Sequence, residues 1–400
     1  MNVVIVGNGL AGTVAAKSIR ELDERASIVI FAAERRLYYP RPNLIEFLAG
    51  RLPEGKIYAF PASWSEKNRI DLRLGTPVRR IRPAEKTVEA ADGTIVPYDR
   101  LLLADGASSS VPPVAGTGKA GVFTVRTLDD AHALLDYFQT HPRVVVLGGG
   151  LLGLEIGRAL RTRGAEVTVA EIFPSLLPRQ LDPPGGDILK SRIEETGIRV
   201  LLGVAAEEIT GDAEARGIRF KDGSRLEADL IVIAAGVKPN TALAREAGLA
   251  VDRGVVVDDR MAATAEGIFA AGDGTQHRGR LYGIIPASFA QSRVAAENIC
   301  GRVKLYEGTI PSNQLKVSDL AFLSAGIIRP EEPGFEEIRL SRPESGIYKK
   351  IVLKNGVLAG AIWMGTKTGA AEIGAAVAAG RNVAAWKSEI LEDGFDYKRL

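Results

Sequence analysis

The sequence predicts an α/β fold of two similar halves, each built from parallel strands and helices, followed by a smaller α+β segment. One pattern of apolar strand, glycine-rich turn and helix occurs at Asn2–Gly12 and again at Arg143–Gly153. Each copy continues through a second apolar run ending in glutamate, an Asp-Gly turn, and a closing apolar run that ends in glycine. Strands that alternate with helices in this way are typical of parallel sheets.

Composition agrees with a globular chain of two or three domains, since its 400 residues are 46% hydrophobic and 25% charged. The net charge is only +2, which does not indicate nucleic acid or an anionic membrane as the main partner. The single cysteine, Cys300, excludes a disulfide framework within the chain. No apolar segment approaches the ~20 residues that span a bilayer. Met1 leads directly into a predicted strand, so we do not expect a signal peptide. We expect a cytoplasmic protein without a membrane span.

The first copy has the order of elements that a dinucleotide-binding fingerprint requires. Its predicted strand, helix and second strand lie at Val3–Val6, Leu10–Arg20 and Ser27–Phe31. Gly7, Gly9 and Gly12 then occupy the strand-to-helix turn: the first allows the tight turn, the second lets backbone amides approach a pyrophosphate, and the third allows close helix packing. Glu34, 22 residues beyond Gly12, is placed to accept hydrogen bonds from ribose hydroxyls. This copy therefore predicts a Rossmann-like nucleotide site.

The second copy repeats the arrangement. Its predicted strand, helix and strand lie at Val144–Leu147, Leu152–Arg163 and Val167–Ala170. Gly148, Gly150 and Gly153 form the turn, and Glu171 follows 18 residues after Gly153. A carboxylate at that point favours the free ribose diol of NADH and repels the extra phosphate of NADPH. Arg179 is the nearest basic residue downstream and could also reach the ribose.

A third motif, after both copies, indicates that the two copies bind different cofactors. Ile268–Gly274 is an apolar strand ending in Gly-Asp-Gly, and a predicted helix at Pro286–Cys300 follows it. It resembles the second FAD motif of two-dinucleotide-binding flavoproteins in the pyridine nucleotide-disulfide oxidoreductase superfamily, in which the aspartate, here Asp273, binds the ribityl chain and the helix is directed at the flavin. Gly236–Asn240 matches that family's linker. The resemblance implies FAD at the first copy and NADH at the second, with NADPH disfavoured.

That resemblance also implies how the domains are arranged. Residues 1–110 and 240–308 would form a discontinuous FAD-binding domain. The NAD-binding domain, residues 111–239, would be inserted into it. Residues 309–400 would form an α+β domain at an interface.

The segment Tyr38–Gly50 resembles the flavin-side loop of NADH:rubredoxin oxidoreductases, ferredoxin reductases and the flavin region of assimilatory nitrite reductases. By this resemblance Arg41 and Pro42 contact the FAD. Glu46 stands where ferredoxin reductases of oxygenase systems typically place a lysine beside flavin N5, and we name it as a catalytic candidate. Asn43 stands near where disulfide reductases and peroxidases carry a reactive cysteine, so cysteine chemistry is not expected.

Further site residues follow from the same likeness. Glu155 matches a glutamate that helps to orient the nicotinamide, and it is the second catalytic candidate. Asp105 replaces the threonine that usually precedes the glycine of the first closing motif, near the FAD phosphates. The sequence does not identify a neighbour that could offset its charge. The remaining candidate cofactor contacts are Leu10, Ala11, Arg35, Val78, Ala104, Gly106, Leu152, Gly236 and Gly272.

The C-terminal segment predicts a β-hairpin followed by a helix. Tyr348–Leu353 and Val357–Trp363 flank an Asn-Gly turn, and the helix is expected at Ala370–Ala379. This resembles the domain that covers the flavin in the same reductases and often contributes to a dimer or partner surface. The preferred interpretation of Trp363 is a buried hairpin residue; the alternative is a ring near the flavin.

The predicted function is an FAD-dependent NADH oxidoreductase that passes single electrons to a small iron–sulfur carrier such as rubredoxin or ferredoxin. An acidic carrier could dock on a basic patch near the flavin-side loop, formed by Arg35, Arg36, Arg51 and Lys56, although such a cluster is more often a solvated face. His132, His141 and His277 share no metal-ligand spacing, so no metal is expected. A homodimer is compatible with the sequence.

Three alternatives stay open at this point. The chain could be the reductase subunit of a larger oxidase or nitrite-reducing complex. It could be a flavin NADH oxidase. It could also be a non-enzymatic protein whose interactions change when NADH binds.

Overall fold

The computed structural model describes residues 1–317 and 320–400. Its backbone divides into two compact units. Unit 1 contains Met1–Asn43, Leu52–Ser108 and Val237–Thr309, and unit 2 contains Leu44–Arg51, Ser109–Gly236 and Ile310–Leu400. The α/β fold class with a parallel sheet for each glycine-rich copy is confirmed. The three predicted domain boundaries stay a prediction.

The main sheet of unit 1 has five parallel strands with the first glycine-rich copy at its centre. Their order is Ile268–Ala270, Arg100–Leu103, Asn2–Val6, Ser27–Phe31 and Ile70–Arg73. The central strand pairs Val3 with Ile28 on one side and with Arg100 on the other. Its apolar residues are buried because helices cover both faces of such a sheet. The carboxyl ends of these strands therefore meet at one edge, where nucleotides bind in this architecture.

The other elements of unit 1 surround that sheet. Its helices are Leu10–Leu22, Trp64–Lys67, Ala242–Glu246 and Ile285–Ile299, with a 3₁₀ turn at Glu54–Lys56. One small sheet joins Val78–Arg82, Thr87–Ala90 and Ile95–Pro97, another joins Val255–Val257, Thr275–His277 and Arg280–Leu281, and Ala107–Ser109 pairs with Val237–Pro239. Buried aliphatic residues from these elements form one continuous core.

Unit 2 repeats the parallel sheet. Its strand order is Arg199–Leu202, Glu166–Glu171, Arg143–Leu147, Leu230–Ile233 and Val122–Phe123. Its helices are Asn43–Leu48, which begins at the last residue of a unit 1 segment, Leu128–Phe138, Leu151–Thr162, Pro183–Glu195 and Ala370–Ala378. A small antiparallel sheet joins Ala206–Thr210, Gly217–Phe220 and Arg225–Glu227. The turn of the second glycine-rich copy thus follows the central strand, as in unit 1.

The C-terminal segment forms a separate antiparallel sheet within unit 2. Its strand order is Ser312–Val317, Leu320–Gly326, Val357–Met364, Ile347–Lys354 and Phe335–Arg342. The hairpin predicted at Asn355-Gly356 is confirmed, with Lys354 paired to Val357. Trp363 is fully buried and its indole Nε1 donates to the Thr368 carbonyl at 2.9 Å, which confirms the preferred interpretation. Short 3₁₀ turns complete the segment at Pro343–Ser345, Ala384–Trp386 and Tyr397–Arg399.

Candidate functional site

The first glycine-rich turn needs its glycines for three different reasons. Gly7 has φ +110°, and a Cβ there would lie 2.2 Å from the Ala104 carbonyl oxygen. A Cβ on Gly12 would lie 1.9 Å from the Gly7 oxygen, whereas a Cβ on Gly9 would meet no atom within 4 Å. The open space therefore lies at the middle glycine, where the helix Leu10–Leu22 begins without a side-chain cap. Such a helix N-terminus offers backbone N–H groups to a phosphate.

The second turn has the same geometry. Gly148 has φ +122°, and a Cβ there would lie 2.5 Å from the Ala234 oxygen. A Cβ on Gly153 would approach the Gly148 oxygen to 2.0 Å, while Gly150 again faces open space. The helix Leu151–Thr162 also starts without a side-chain cap. Both turns therefore leave room for a pyrophosphate, as binding of a dinucleotide cofactor requires.

Glu34 lies within a compact polar cluster of unit 1. Its carboxylate accepts from Arg41 Nη2 at 2.5 Å and from the Tyr39 hydroxyl at 2.5 Å. Arg41 Nη1 also donates to the Tyr39 oxygen at 2.6 Å. Although burial disfavours the charge on Arg41, the hydrogen bond and ion pair with Glu34 raise its pKa above the ordinary value. Glu34 and Arg41, each predicted separately as an FAD contact, are thus hydrogen-bonded to each other, and Tyr39 is an additional member of the site that was not predicted.

Glu171 is held against the second turn. Its side chain is buried, and its carboxylate accepts from the backbone N–H groups of Gly149 at 2.6 Å and Phe173 at 2.9 Å. These two hydrogen bonds fix the carboxylate beside the point where a ribose would lie. Ile172 and Phe173 follow with exposed side chains. These two residues are further site candidates that were not predicted. The sequence feature that could have indicated them is an apolar pair directly after the strand that ends in Glu171.

The Gly-Asp-Gly motif contacts the helix that follows it. Gly272 has φ +96°, and its N–H donates to Gln291 Oε1 at 2.9 Å. The Ser288 hydroxyl lies 3.4 Å from Asp273 Oδ1. Ser288 and Gln291 are both buried on the helix Ile285–Ile299. These two residues are further site candidates that were not predicted. The sequence could have indicated them by their polar side chains on a helix of mostly small apolar residues.

The structure shows that the carboxyl of Asp105 is desolvated. Desolvation raises the pKa of this carboxyl to about 7. Asn240 Nδ2 donates to the main-chain oxygen of Asp105 at 2.7 Å and so fixes the turn that carries it. Desolvation therefore favours the neutral form of this carboxyl.

Asn43 and Glu46 of the flavin-side loop lie on a short helix, Asn43–Leu48. Asn43 Nδ2 donates to the Ile57 carbonyl at 3.0 Å. Glu46 accepts from Arg51 Nε at 2.7 Å, and that ion pair raises the pKa of Arg51. Glu155 lies half-buried on the helix Leu151–Thr162. The catalytic roles of Glu46 and Glu155 stay predictions.

The predicted docking residues carry less unpaired charge than their number suggests. Arg36 forms an ion pair with Glu54 at 2.8 Å, and Arg51 is paired with Glu46. Lys56 is exposed. Carboxylates therefore offset part of this basic cluster, and its role in docking stays a prediction.

The described residues bear on two kinds of feature: clusters of metal-ligand side chains and membrane-spanning helices. Residues 1–317 and 320–400 contain no group of three or more His, Cys, Asp or Glu side chains that could hold a metal ion. No helix within the same ranges is long and apolar enough to cross a membrane. His277 is fully buried against Asp259, with 2.8 Å between Nε2 and Oδ1, which fits a core role. Cys300 is partly buried, and desolvation raises the pKa of its thiol.

Comparisons with known proteins agree with this geometry. The pyridine nucleotide-disulphide oxidoreductase family matches residues 1–293, and the C-terminal domain of rubredoxin NAD+ reductases matches residues 311–381. The chain is 38% identical to Nitrite reductase [NAD(P)H] of Bacillus subtilis over 91% of this chain and 45% of that protein. It spans about half the length of the curated relatives it matches first.

Solved structures show the same fold along the chain. NADH:rubredoxin oxidoreductase from Clostridium acetobutylicum superposes with a TM-score of 0.81 at 28% identity, covering 95% of this chain and 96% of that one. The reductase of the covalent putidaredoxin reductase–putidaredoxin complex gives 0.89 at 26% identity, covering 100% and 97%.

Proposed function

This chain belongs to the pyridine nucleotide-disulphide oxidoreductase family, and we propose that it is a flavoprotein reductase that passes single electrons from NADH to a small iron–sulfur carrier such as rubredoxin or ferredoxin. The family's members are NAD(P)H oxidoreductases that use FAD and NADH. The observation that carries the proposal is a pair of matching glycine turns whose surroundings differ. The first lies in the unit that also contains the Glu34 cluster and the Gly-Asp-Gly motif, and the second is followed by the fixed carboxylate of Glu171.

The first turn would hold FAD as a resident cofactor. Gly9 leaves the space for the pyrophosphate, and the helix beginning at Leu10 offers N–H groups to it. Glu34 would accept from the adenosine ribose while Arg41 and Tyr39 keep its carboxylate in place. Asp273, beside Ser288, would contact the ribityl chain. Bound FAD supplies the conversion of a two-electron hydride into single electrons.

The second turn would bind NADH reversibly. Gly150 leaves the space for its pyrophosphate. The Glu171 carboxylate, held by two backbone N–H groups, would accept from the ribose diol and repel a phosphate at that position. The bound cofactors would supply the hydride chemistry, and the chain's own contribution would be to position them and exclude water rather than to form a covalent intermediate.

The onward path of the electrons is inferred from the flavin-side loop. Asn43 is hydrogen-bonded to the Ile57 carbonyl, and the chain's single cysteine, Cys300, lies at the end of another helix. A dithiol that could accept the hydride equivalents is therefore lacking. Two likenesses support an iron–sulfur acceptor: the match to rubredoxin reductase C-terminal domains, and the match to a reductase captured with putidaredoxin.

A second candidate function is the reductase portion of a larger nitrite-reducing assembly. It is favoured by the 38% identity to Nitrite reductase [NAD(P)H], of which this chain covers 45%. In that case the acceptor would be a redox centre of the assembly rather than a diffusing carrier. Homodimer formation and a cytoplasmic location stay predictions.

Anaerobic double-mixing stopped flow tests the proposal. FAD-loaded protein is first mixed with NADH, and then with oxidised rubredoxin or ferredoxin. Rapid bleaching of the flavin followed by rapid reoxidation by the carrier is the expected result. Fast reoxidation by oxygen alone would point to an oxidase, and a slow, persistent charge-transfer band would point to the non-enzymatic sensor. Either outcome contradicts the carrier reductase.

A further inference from the structure

We propose that Arg163 is a positioning residue that attaches the flavin-side helix Asn43–Leu48, and with it Glu46, to the rest of unit 2. Because unit 2 contains the second glycine-rich turn, it is called the NADH-binding unit below. The inference rests on the proposed function. The segment Leu44–Arg51 belongs to unit 2, although Asn43 before it and Leu52 after it belong to unit 1. A stretch that the sequence places in the flavin-side loop is therefore packed with the second glycine-rich copy.

Arg163 contacts the carboxyl end of the short helix. Its Nε donates to the Leu48 carbonyl, and its Nη2 donates to the Phe47 carbonyl at 3.3 Å. The last carbonyls of a helix have no partner within the helix, and a cation there is favoured by the helix dipole. Gly50 turns the chain away with φ +75°, and a Cβ on it would lie 3.3 Å from Arg163 Nη2. The guanidinium therefore acts as a C-terminal cap supplied from a distant part of the sequence.

A second contact fixes the same helix. The Phe47 ring meets the His132 ring edge to face, with 5.0 Å between centroids and 68° between planes. His132 lies on the helix Leu128–Phe138, which also belongs to unit 2. Two separate elements of the NADH-binding unit thus hold one short helix, at its terminal carbonyls and at an aromatic side chain.

The position of Arg163 gives this attachment a functional consequence. It directly follows the 12-residue helix Leu151–Thr162, which begins at Gly150 and carries Glu155. At about 1.5 Å per residue the helix is about 18 Å long, so one rigid element joins the pyrophosphate turn to the cap on the flavin-side helix. Arg51, in the same attached segment, forms the ion pair that holds Glu46. The NADH-binding unit would therefore position both NADH and Glu46.

The matched control is Arg161, in the last turn of the helix Leu151–Thr162. Its guanidinium also donates to main-chain carbonyls, Ala165 at 3.1 Å and Thr196 at 3.3 Å. Those carbonyls belong to the NADH-binding unit but lie outside the flavin-side helix. Arg161→Ala and Arg163→Ala thus remove the same chemistry from neighbouring places, and only the second releases the segment that carries Glu46.

Stopped-flow titration of the FAD-loaded protein with NADH separates binding from hydride transfer. We expect Arg163→Ala to lower the limiting rate of flavin reduction about tenfold while the NADH Kd changes less than about twofold, because misplacement near a reaction costs rate rather than affinity. Arg163→Lys should recover most of the rate, since it keeps one cationic donor. Arg161→Ala should keep the wild-type limiting rate. Hydrogen exchange at Ala49, Gly50 and Arg51 should accelerate in Arg163→Ala only.

Several results would overturn the inference. One is an Arg163→Ala rate equal to wild type; another is an equal loss in Arg161→Ala; a third is a loss confined to the NADH Kd. If Arg163→Ala does not fold, Phe47→Leu removes the second contact, and unchanged exchange and rate in that variant would also count against it. If NADH fails to reduce the wild-type flavin, the proposed function fails, whereas the exchange measurement still tests the attachment.

Discussion

Replacing Asp105 with asparagine should remove a pH-dependent part of the stability. The folded protein raises the pKa of this carboxyl from 3.8 to about 7 by desolvation, so the folded state holds the proton more tightly than the unfolded chain. Stability from this group is therefore fully present below pH 4 and is lost as the pH rises toward 7. Asparagine has a similar shape and no charge to bury, so Asp105→Asn lacks this loss.

The size of the effect follows from the pKa shift. One pKa unit corresponds to about 1.4 kcal/mol. The shift of Asp105 from 3.8 to about 7 therefore gives a maximum difference of about 4 kcal/mol between the two proteins at neutral pH. The free energy of unfolding of Asp105→Asn minus that of wild type should grow between pH 4 and 7 and level off above pH 7.

Urea unfolding of the flavin-free proteins at a series of pH values from 4 to 8 measures this difference. Asp136→Asn, which changes an exposed carboxylate of unit 2, is the control. Titration of ¹³C-labelled aspartate by NMR gives the pKa of Asp105 directly. The reasoning fails if the difference between Asp105→Asn and wild type is independent of pH, or if the carboxyl titrates near 4.

Two further changes test other parts of the structure. Glu171→Gln keeps a side-chain oxygen for one of the two N–H groups and removes the charge, so the NADH to NADPH ratio of kcat/KM should fall about tenfold or more. Glu166→Gln, at the exposed start of the same strand, should leave the ratio unchanged, and an equal fall in both variants would contradict this role. Lys350 is buried 3.1 Å from the carboxylate of Asp182. Lys350→Met leaves that charge without its buried cation and should lower the free energy of unfolding by about 3 kcal/mol, as measured by denaturant unfolding at pH 7; a change below about 1 kcal/mol would show that the pair contributes little.

Local sequence signals predicted the scaffold closely. The strand Ser27–Phe31 was predicted with its observed limits, and the helix after the second turn was predicted at Leu152–Arg163 and is found at Leu151–Thr162. These elements are encoded by apolar runs and by glycines whose Cβ would collide with neighbouring backbone. Such signals depend on residues adjacent in sequence, so they can be read without the tertiary structure.

The sequence could not predict features that depend on distant partners. The cap of Arg163 on the Leu48 carbonyl joins residues 115 positions apart, and no local pattern marks it. The raised pKa of Asp105 depends on its desolvation in the folded chain, which no local sequence pattern marks. The Glu34, Tyr39 and Arg41 cluster lay within eight residues of sequence, but its hydrogen bonds depend on how the loop folds back.

The central claim is that the two glycine turns hold different nucleotides, and a matched pair of variants tests it most directly. Gly9→Ala and Gly150→Ala each place a methyl group into open space that the protein itself does not fill, so both variants should fold. FAD content after purification and the NADH Kd of each variant are then measured. We expect Gly9→Ala to lose FAD, and Gly150→Ala to retain FAD at one per chain with an NADH Kd raised about tenfold or more. Loss of FAD from Gly150→Ala, with full retention by Gly9→Ala, would contradict the assignment.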